Sequence, residues 1–426
     1  KKKEFPEEFI GQLIREIVCH EVGHTLGLRH NFKGSTFRTL AGLNSKQKPA
    51  DTSGSVMDYN PVNVAVDTPQ GYWAPSALGP YDFWAIEYGY RPTKKVSDLV
   101  KIASRGAEKG LDYGTDEDVG RGDPFVNRWD AGADPIAYAN KRIRYVERLR
   151  KDLIERTVEK GEGYQNLRRA FDTLLFEIAN AGGLAAQFVG GYRMNRDHRG
   201  QAHARDPIQI VPAAKQREGL KFVCENILSD KHFQFPPELL RKLATPHWMH
   251  WGAFPSRDIA YPLHDRVLRV QTAVLSYFTY PGTLRRIYDA ESMVGEKEDS
   301  FTLVELFETV QGAVWSELAS KPSTRPTDRK PYISSTRRNL QRFYVEELTG
   351  IALDPNDSWM PGAVRTLARH QVKQLSMTIG NYLANNSAGI DTYTHSHLEE
   401  CQTLLRKTLE AAFQLGGSSG GGLLFF

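Results

Sequence analysis

Apolar residues recur at intervals of three and four through most of the second half of the chain, a spacing that predicts amphipathic helices. It runs through "IAYANKRIRYVERLRKDLIERTV", "YQNLRRAFDTLLFEIANAG", "VLRVQTAVLSYFTYPGTLRRIYDAE", "FTLVELFETVQGAVWSEL", "STRRNLQRFYVEELTGIAL", "AVRTLARHQVKQLSMTIGNYLA" and "HLEECQTLLRKTLEAAFQL". Pro and Gly fall between these segments, as helix-to-helix turns require, and no fixed period repeats, so no solenoid is predicted. One further helix is predicted near the start, from Pro6 to Leu28, with Phe9, Leu13, Ile17, His20 and His24 on or near one face and Gly27 as its stop. Residues 33–80 are rich in Gly, Ser, Thr and Pro and predict ordered loops. "YDFWAIEYGY" predicts a short aromatic helix, and an acidic, glycine-rich loop then runs to Pro135. The expected architecture is mainly α, with a first region over 1–130, a helical domain over 131–415 and a flexible tail, "GGSSGGGLLFF", at 416–426.

Composition changes this picture little. With 426 residues there is ample length for a substantial core, and 40% hydrophobic and 25% charged residues describe an ordinary globular protein. The net charge of +4 is small beside 55 basic and 51 acidic side chains, and the basic residues alternate with acidic and apolar ones, so no nucleic-acid partner is expected. Cys19, Cys224 and Cys401 are odd in number and far apart, which excludes a disulfide framework. No apolar run approaches the ~18 residues of a membrane span. "KKKEFPEEF" lacks the apolar stretch of a signal peptide and runs almost at once into a helix, so the chain is expected to start inside a longer protein.

The chemistry concentrates in "EIVCHEVGHTLGLRHNF". His20 and His24 are four apart on the predicted helix, so their imidazoles project from one face about one turn from each other. Two nitrogens so placed can share one Zn²⁺ at ~2.0–2.1 Å. Glu21 can point at a water on that metal rather than at the metal itself. Gly27 lets the chain double back and bring His30 in as a third ligand. Three protein nitrogens leave a position open for water, which marks a catalytic rather than a structural zinc. Cys19, adjacent to His20, points about 100° away round the helix and is not a ligand. HExxH alone would arise by chance with probability on the order of 10⁻² in such a chain, whereas the added Gly and His lower this to the order of 10⁻⁵ to 10⁻⁴.

"HEVGHTLGLRH" resembles the extended zinc motif of the metzincin metalloproteases. "SVMDY", Ser55 to Tyr59, is similar to their methionine turn in its astacin- and serralysin-like form. With "GPYDFWAIEYGY" and the long helical region that follows, the chain more narrowly resembles the bacterial zinc-dependent metalloproteases that carry a Met-zincin domain. The resemblance implies His20, His24 and His30 as zinc ligands and Glu21 as general base. It makes Met57 an apolar floor beneath the metal and puts Tyr59 near the open coordination position, as an oxyanion donor or weak ligand. It implies a zinc endopeptidase acting on protein or peptide substrates outside the cytoplasm. Metzincins carry a twisted sheet before the zinc helix whose edge strand holds the substrate. Only nineteen residues precede His20 here, so the chain resembles the C-terminal part of such a protease and that sheet is expected to lie upstream of it. Two other readings stay open: a zinc-retaining module or fragment that does not cleave without the upstream half, and a zinc hydrolase taking a downstream glutamate as third ligand.

The remaining histidines read as structural. His247 and His250, in "TPHWMHW", are expected in an aromatic packing corner, with a second metal as the competing reading. His198 and His203 belong to a polar surface loop, and His395 and His397 to a helix start. Asp116, Glu117, Asp118 and Asp123 form an oxygen-rich loop that is a candidate for Ca²⁺. They lack the D-x-D-x-D-G spacing, and a solvated loop or one lining the substrate cleft is the favoured reading.

Overall fold

A computed structural model describes residues 5–45, 51–243, 245, 258–322, 324–355, 360–386 and 389–411. His247, His250 and the tail at 416–426 lie outside them. Among the described residues the architecture is mainly helical, with a single two-stranded sheet, as the hydrophobic spacing predicts. The chain divides into two compact units, Lys1–Phe222 and Val223–Phe426.

The first unit opens with α1 (Glu7–Thr25), which starts after Pro6 with Glu7 and Glu8 in its first turn, complementing the helix dipole. Only Gln12 and Gly23 of α1 are buried, while Ile10, Ile14, Ile17, Val18 and Val22 are exposed. Gln12 is tied down because its Oε1 accepts the backbone N–H of Trp73 at 2.6 Å. Over the 33–80 stretch predicted as loops, the described residues up to Gly79 form loops apart from one 3₁₀ turn and the short α2 (Leu40–Asn44). α3 (Pro80–Tyr90) is the aromatic helix expected at "YDFWAIEYGY", and α4 (Val96–Ala103) joins it through Trp84, whose Nε1–H reaches the carbonyl of Ile102 at 2.7 Å.

α5 (Pro135–Arg150) starts where Asp134 accepts the N–H groups of Ile136 and Ala137, with Pro135 at the first helical position. The segment predicted as one helix from Ile136 to Val158 is broken at Asp152 (φ −131°, ψ 35°), and α6 (Leu153–Thr157) restarts with Leu153 turned into the core. α7 (Gln165–Ala186) packs along α5 and α6 through Leu167, Phe171, Leu174 and Ile178. The strands β1 (Tyr192–Met194) and β2 (Ile208–Ile210) pair antiparallel with Tyr192 opposite Ile210. The loop between them carries His198 and His203, both exposed. α8 (Ala213–Asn226) then runs through the division between the units.

The second unit is a helical bundle: α9 (Pro237–Leu240), α10 (Leu263–Thr279), α11 (Pro281–Ala290), α12 (Leu303–Val314), α13 (Ser335–Leu353), α14 (Gly362–Asn386) and α15 (Thr392–Glu410). Pro281 divides the predicted segment Val267–Glu291 into α10 and α11, since proline cannot continue the helix before it. Side chains cap α12, α13 and α15: Thr302, Ser334 and Asp391 each accept a backbone N–H three residues on. α13 packs against α10, α14 and α15 through Leu340, Tyr344, Val345 and Leu348.

Candidate metal centre

The last turns of α1 and the chain just beyond them bring three imidazoles together. His20 and His24 stand one turn apart, with ring centroids 4.7 Å from each other. Gly27 takes φ +83°, and Leu28 and Gly27 donate their N–H groups back to the carbonyls of Gly23 and His24, both at 3.0 Å. This is the Schellman ending, and it turns the chain sharply enough to return His30 to the helix face. The His30 ring lies 5.4 Å from that of His20 and 4.9 Å from that of His24. Potential ligand atoms of the three residues lie within 4.8 Å of one another, and among the described residues this is the set of His, Cys, Asp or Glu side chains so placed. Glu21, beside His20, is exposed.

The hydrogen bonds show which nitrogen of each ring faces inward. His20 Nδ1 meets the carbonyl oxygen of Val56 at 2.8 Å, and His24 Nδ1 that of Leu28 at 3.0 Å. His30 Nδ1 meets Asp116 Oδ2 at 2.9 Å. Carbonyls and carboxylates only accept, so each Nδ1 carries a proton, and in a neutral ring the Nε2 then keeps a bare lone pair. The Nε2 atoms of His20 and His24 are 3.1 Å apart, and His30 Nε2 is buried with no hydrogen-bond partner. Lone pairs at that distance repel unless a cation joins them. Zinc–nitrogen bonds of ~2.0–2.1 Å in a tetrahedron place ligand nitrogens about 3.3 Å apart. The donor set therefore fits one Zn²⁺. Burial, foremost, lowers the pKa of His20, with the charges of His24 and His30 adding to it and the Val56 carbonyl opposing. A neutral ring is the form that binds metal.

Met57 is fully buried and packs against α1 at Gly23. A Cβ on Gly23 would meet its Sδ at 2.2 Å, so the glycine inside the HExxH stretch is dictated by the methionine below it. The turn that carries Met57 is held by Asp82 of α3. Its Oδ1 accepts the Ser55 hydroxyl at 2.6 Å, and its Oδ2 the N–H groups of Val56 and Gly79 at 3.0 and 2.8 Å. Ser55 Oγ in turn accepts the N–H of Met57 at 3.0 Å, and the Met57 carbonyl accepts that of Asn31. Burial pushes the Asp82 carboxyl up, against these hydrogen bonds.

Aromatic rings wall the centre. Tyr59 lies 4.6 Å from the His30 ring, 5.5 Å from His20 and 5.3 Å from Phe32. On its other side stands Trp129, stacked at 5.3 Å. Their sequence neighbours Asp58 and Asp130 are buried, each with one carboxylate oxygen lacking a hydrogen-bond partner. Desolvation pushes both up, Asp130 to about 7, and their mutual repulsion adds to the rise at Asp58.

The acidic loop meets cations of the protein itself. Asp116 joins His30 to Arg128 (3.0 Å), Glu117 pairs with Arg29 (2.7 Å), Asp118 with Arg196 (2.7 Å), and buried Asp123 with Lys33 (2.9 Å). Asp82 and Trp129 are neighbours of the site that reading along the chain misses, and Asp116 is singled out there only as part of an oxygen-rich loop, not as the partner of His30. Asp116 stands 86 positions from His30, and nothing in "TDEDVG" separates a carboxylate facing a histidine from one facing water.

A family model described as Met-zincin matches residues 2–322. No curated protein and no solved structure matches.

Proposed function

We propose a function from one premise: the chain belongs to the Met-zincin family. Membership makes it a zinc metalloprotease at the coarse level, acting on peptides. Beyond that, we infer an endopeptidase of metzincin type that uses His20, His24 and His30 as zinc ligands and Glu21 as general base. The observation that carries this is the convergence of three Nε2 lone pairs whose Nδ1 partners are already engaged.

Zn²⁺ bound there would lower the pKa of a water toward ~7 and polarise a scissile carbonyl. Glu21 takes the proton of the attacking water and hands it to the leaving amine. Tyr59 donates its phenolic hydrogen to the carbonyl oxygen as negative charge develops there. The hydrogen bonds of Asp116, Val56 and Leu28 fix the tautomer and tilt of the three rings, so the bare nitrogens are aimed before metal arrives. Met57 shapes the floor without ligating. No covalent intermediate with the protein is needed. No helix among the described residues is long and apolar enough to cross a membrane. An extracytoplasmic location is part of the proposal and rests on family likeness.

A second reading, a zinc-binding part that does not cleave by itself, is favoured by the bare apolar side of α1, where Ile14 and Ile17 are 57% and 59% exposed. Metal analysis of the full chain, paired with a peptide-cleavage assay with and without chelator, separates the two. One equivalent of zinc with chelator-sensitive cleavage is expected. Zinc without cleavage would favour the second reading, and no zinc would sink both.

A further inference from the structure

Two non-glycine residues among those described take positive φ: His203, in the exposed hairpin loop, and Trp129, at φ +65°. Side chains with a Cβ rarely adopt this conformation, and a bulky aromatic does so only when its surroundings impose it. Here they do. The Trp129 N–H donates to the carbonyl of Tyr59 at 2.9 Å. One residue earlier, Arg128 donates to Asp116 Oδ1 at 3.0 Å, the carboxylate that also holds His30. Asn127 is fixed through its N–H to the Phe32 carbonyl and through its side chain to the Pro124 carbonyl, and on the other side Asp130 is buried.

What this backbone delivers is an indole stacked on Tyr59 in a residue that is 60% exposed. A residue kept for core packing would be covered, and Trp129 is not. Tyr59 contacts both it and the imidazoles of His20 and His30, so Tyr59 links the indole to the three histidines. Rigid aromatic surface at that position offers a stacking platform to a neighbouring apolar group.

We propose that Trp129 forms a substrate subsite that takes a large apolar, above all aromatic, side chain of the peptide flanking the scissile bond. This rests on the peptidase reading above and adds the substrate class. Arg128 and Asp116 act as positioning residues: they pin the strained backbone, so that the indole and the His30 ring are oriented by one carboxylate.

The test uses the zinc-loaded full chain carrying E21A, so that bound peptide is not cut. Two hexapeptides are titrated by calorimetry, one with phenylalanine at its two central positions and one with serine there. The phenylalanine peptide is expected to bind about tenfold tighter or better. W129A should reduce that ratio below about threefold while leaving the serine peptide's affinity unchanged, and W129F should restore most of it. W129G, whose backbone takes φ +65° freely, should unfold no earlier than the parent. An unchanged ratio in W129A would overturn the proposal. So would an equal loss for both peptides, which would make Trp129 a brace for Tyr59, or a W129G transition several degrees lower, which would make it a packing residue. The peptidase reading is judged apart, on the chain with Glu21 intact. If that protein cleaves nothing while the ratio behaves as expected, the subsite stands and the reaction falls.

Discussion

Histidines in the two units of this chain meet opposite fates. In the first unit His20, His24 and His30 are only partly covered, and each spends Nδ1 on an acceptor so that Nε2 points at a shared place. In the second, His397 of α15 is buried, its Nε2 bonded to Gln341 Oε1 at 2.9 Å and its ring parallel to Trp315 at 6.0 Å. Burial, with the charges of Arg342 and Arg338 adding, pushes its pKa down to about 3. A buried histidine with a satisfied nitrogen is a packing element. Three incompletely covered ones with their ring nitrogens at close range are a set that could hold a metal ion. The units also hold themselves differently: the second relies on capped, closely packed helices, whereas the loops of the first rely on buried carboxylates such as Asp82 and Asp123.

The largest consequence is expected at Glu21. E21A should keep its zinc by metal analysis yet cleave peptides about 10²–10⁴-fold more slowly; retained activity would remove the general base from the mechanism. Next comes D116N, which weakens the hold on His30. Its zinc dissociation constant, read by competition with a chelating dye, should rise about 10–100-fold, and no change would make Asp116 a bystander. G23A drives a Cβ into Met57 Sδ and should cost about 1–3 kcal/mol in thermal or denaturant unfolding. M57A added to it should recover part of that cost, because the two side chains compete for one space.

Smaller effects distinguish the two units by pH. Asp130 has a folded pKa near 7, above its unfolded value, so the native state binds the extra proton and its stability is lost as pH rises from about 4 through 7. D130N should therefore stabilise the protein at pH 8, by about 1–2 kcal/mol, and lose that advantage at pH 5. His397 runs the other way. Its folded pKa lies below the unfolded one, so its contribution is full above about 6.5 and is lost as pH falls toward 3. H397Q should flatten that acid-side loss, by roughly 1 kcal/mol at pH 5, read as hydrogen–deuterium exchange in α13 and α15. An identical pH slope in either variant would show that the named group does not govern its unit.

What lies within one or two turns was legible along the chain. The i, i+4 spacing of His20 and His24, the stop at Gly27 and the return to His30 depend on neighbours a few positions away, and they hold as expected. The aromatic helix at Pro80–Tyr90 and the bundle's helices α13 and α14 follow from local spacing too. The continuous helix expected over Ile136–Val158 fails at Asp152, where turning Leu153 into the core outweighs the periodic pattern. The sequence pattern places His395 and His397 around a helix start. α15 begins at Thr392 on its Asp391 cap, which leaves His395 in the first turn and carries His397 into the interior.

By itself, then, the order of residues determined the donor set and the helical class, because backbone hydrogen bonding and the 3.6-residue turn act over short separations. It could not say that Asp116 would reach His30 across 86 positions, or that Asp82 would hold the turn that carries Met57. Nor could it say that Trp129 would be forced into a left-handed conformation against Tyr59. Those contacts join segments whose sequences carry no mark of one another. They exist only once folding has brought the loops together, where burial decides which carboxylate meets which partner.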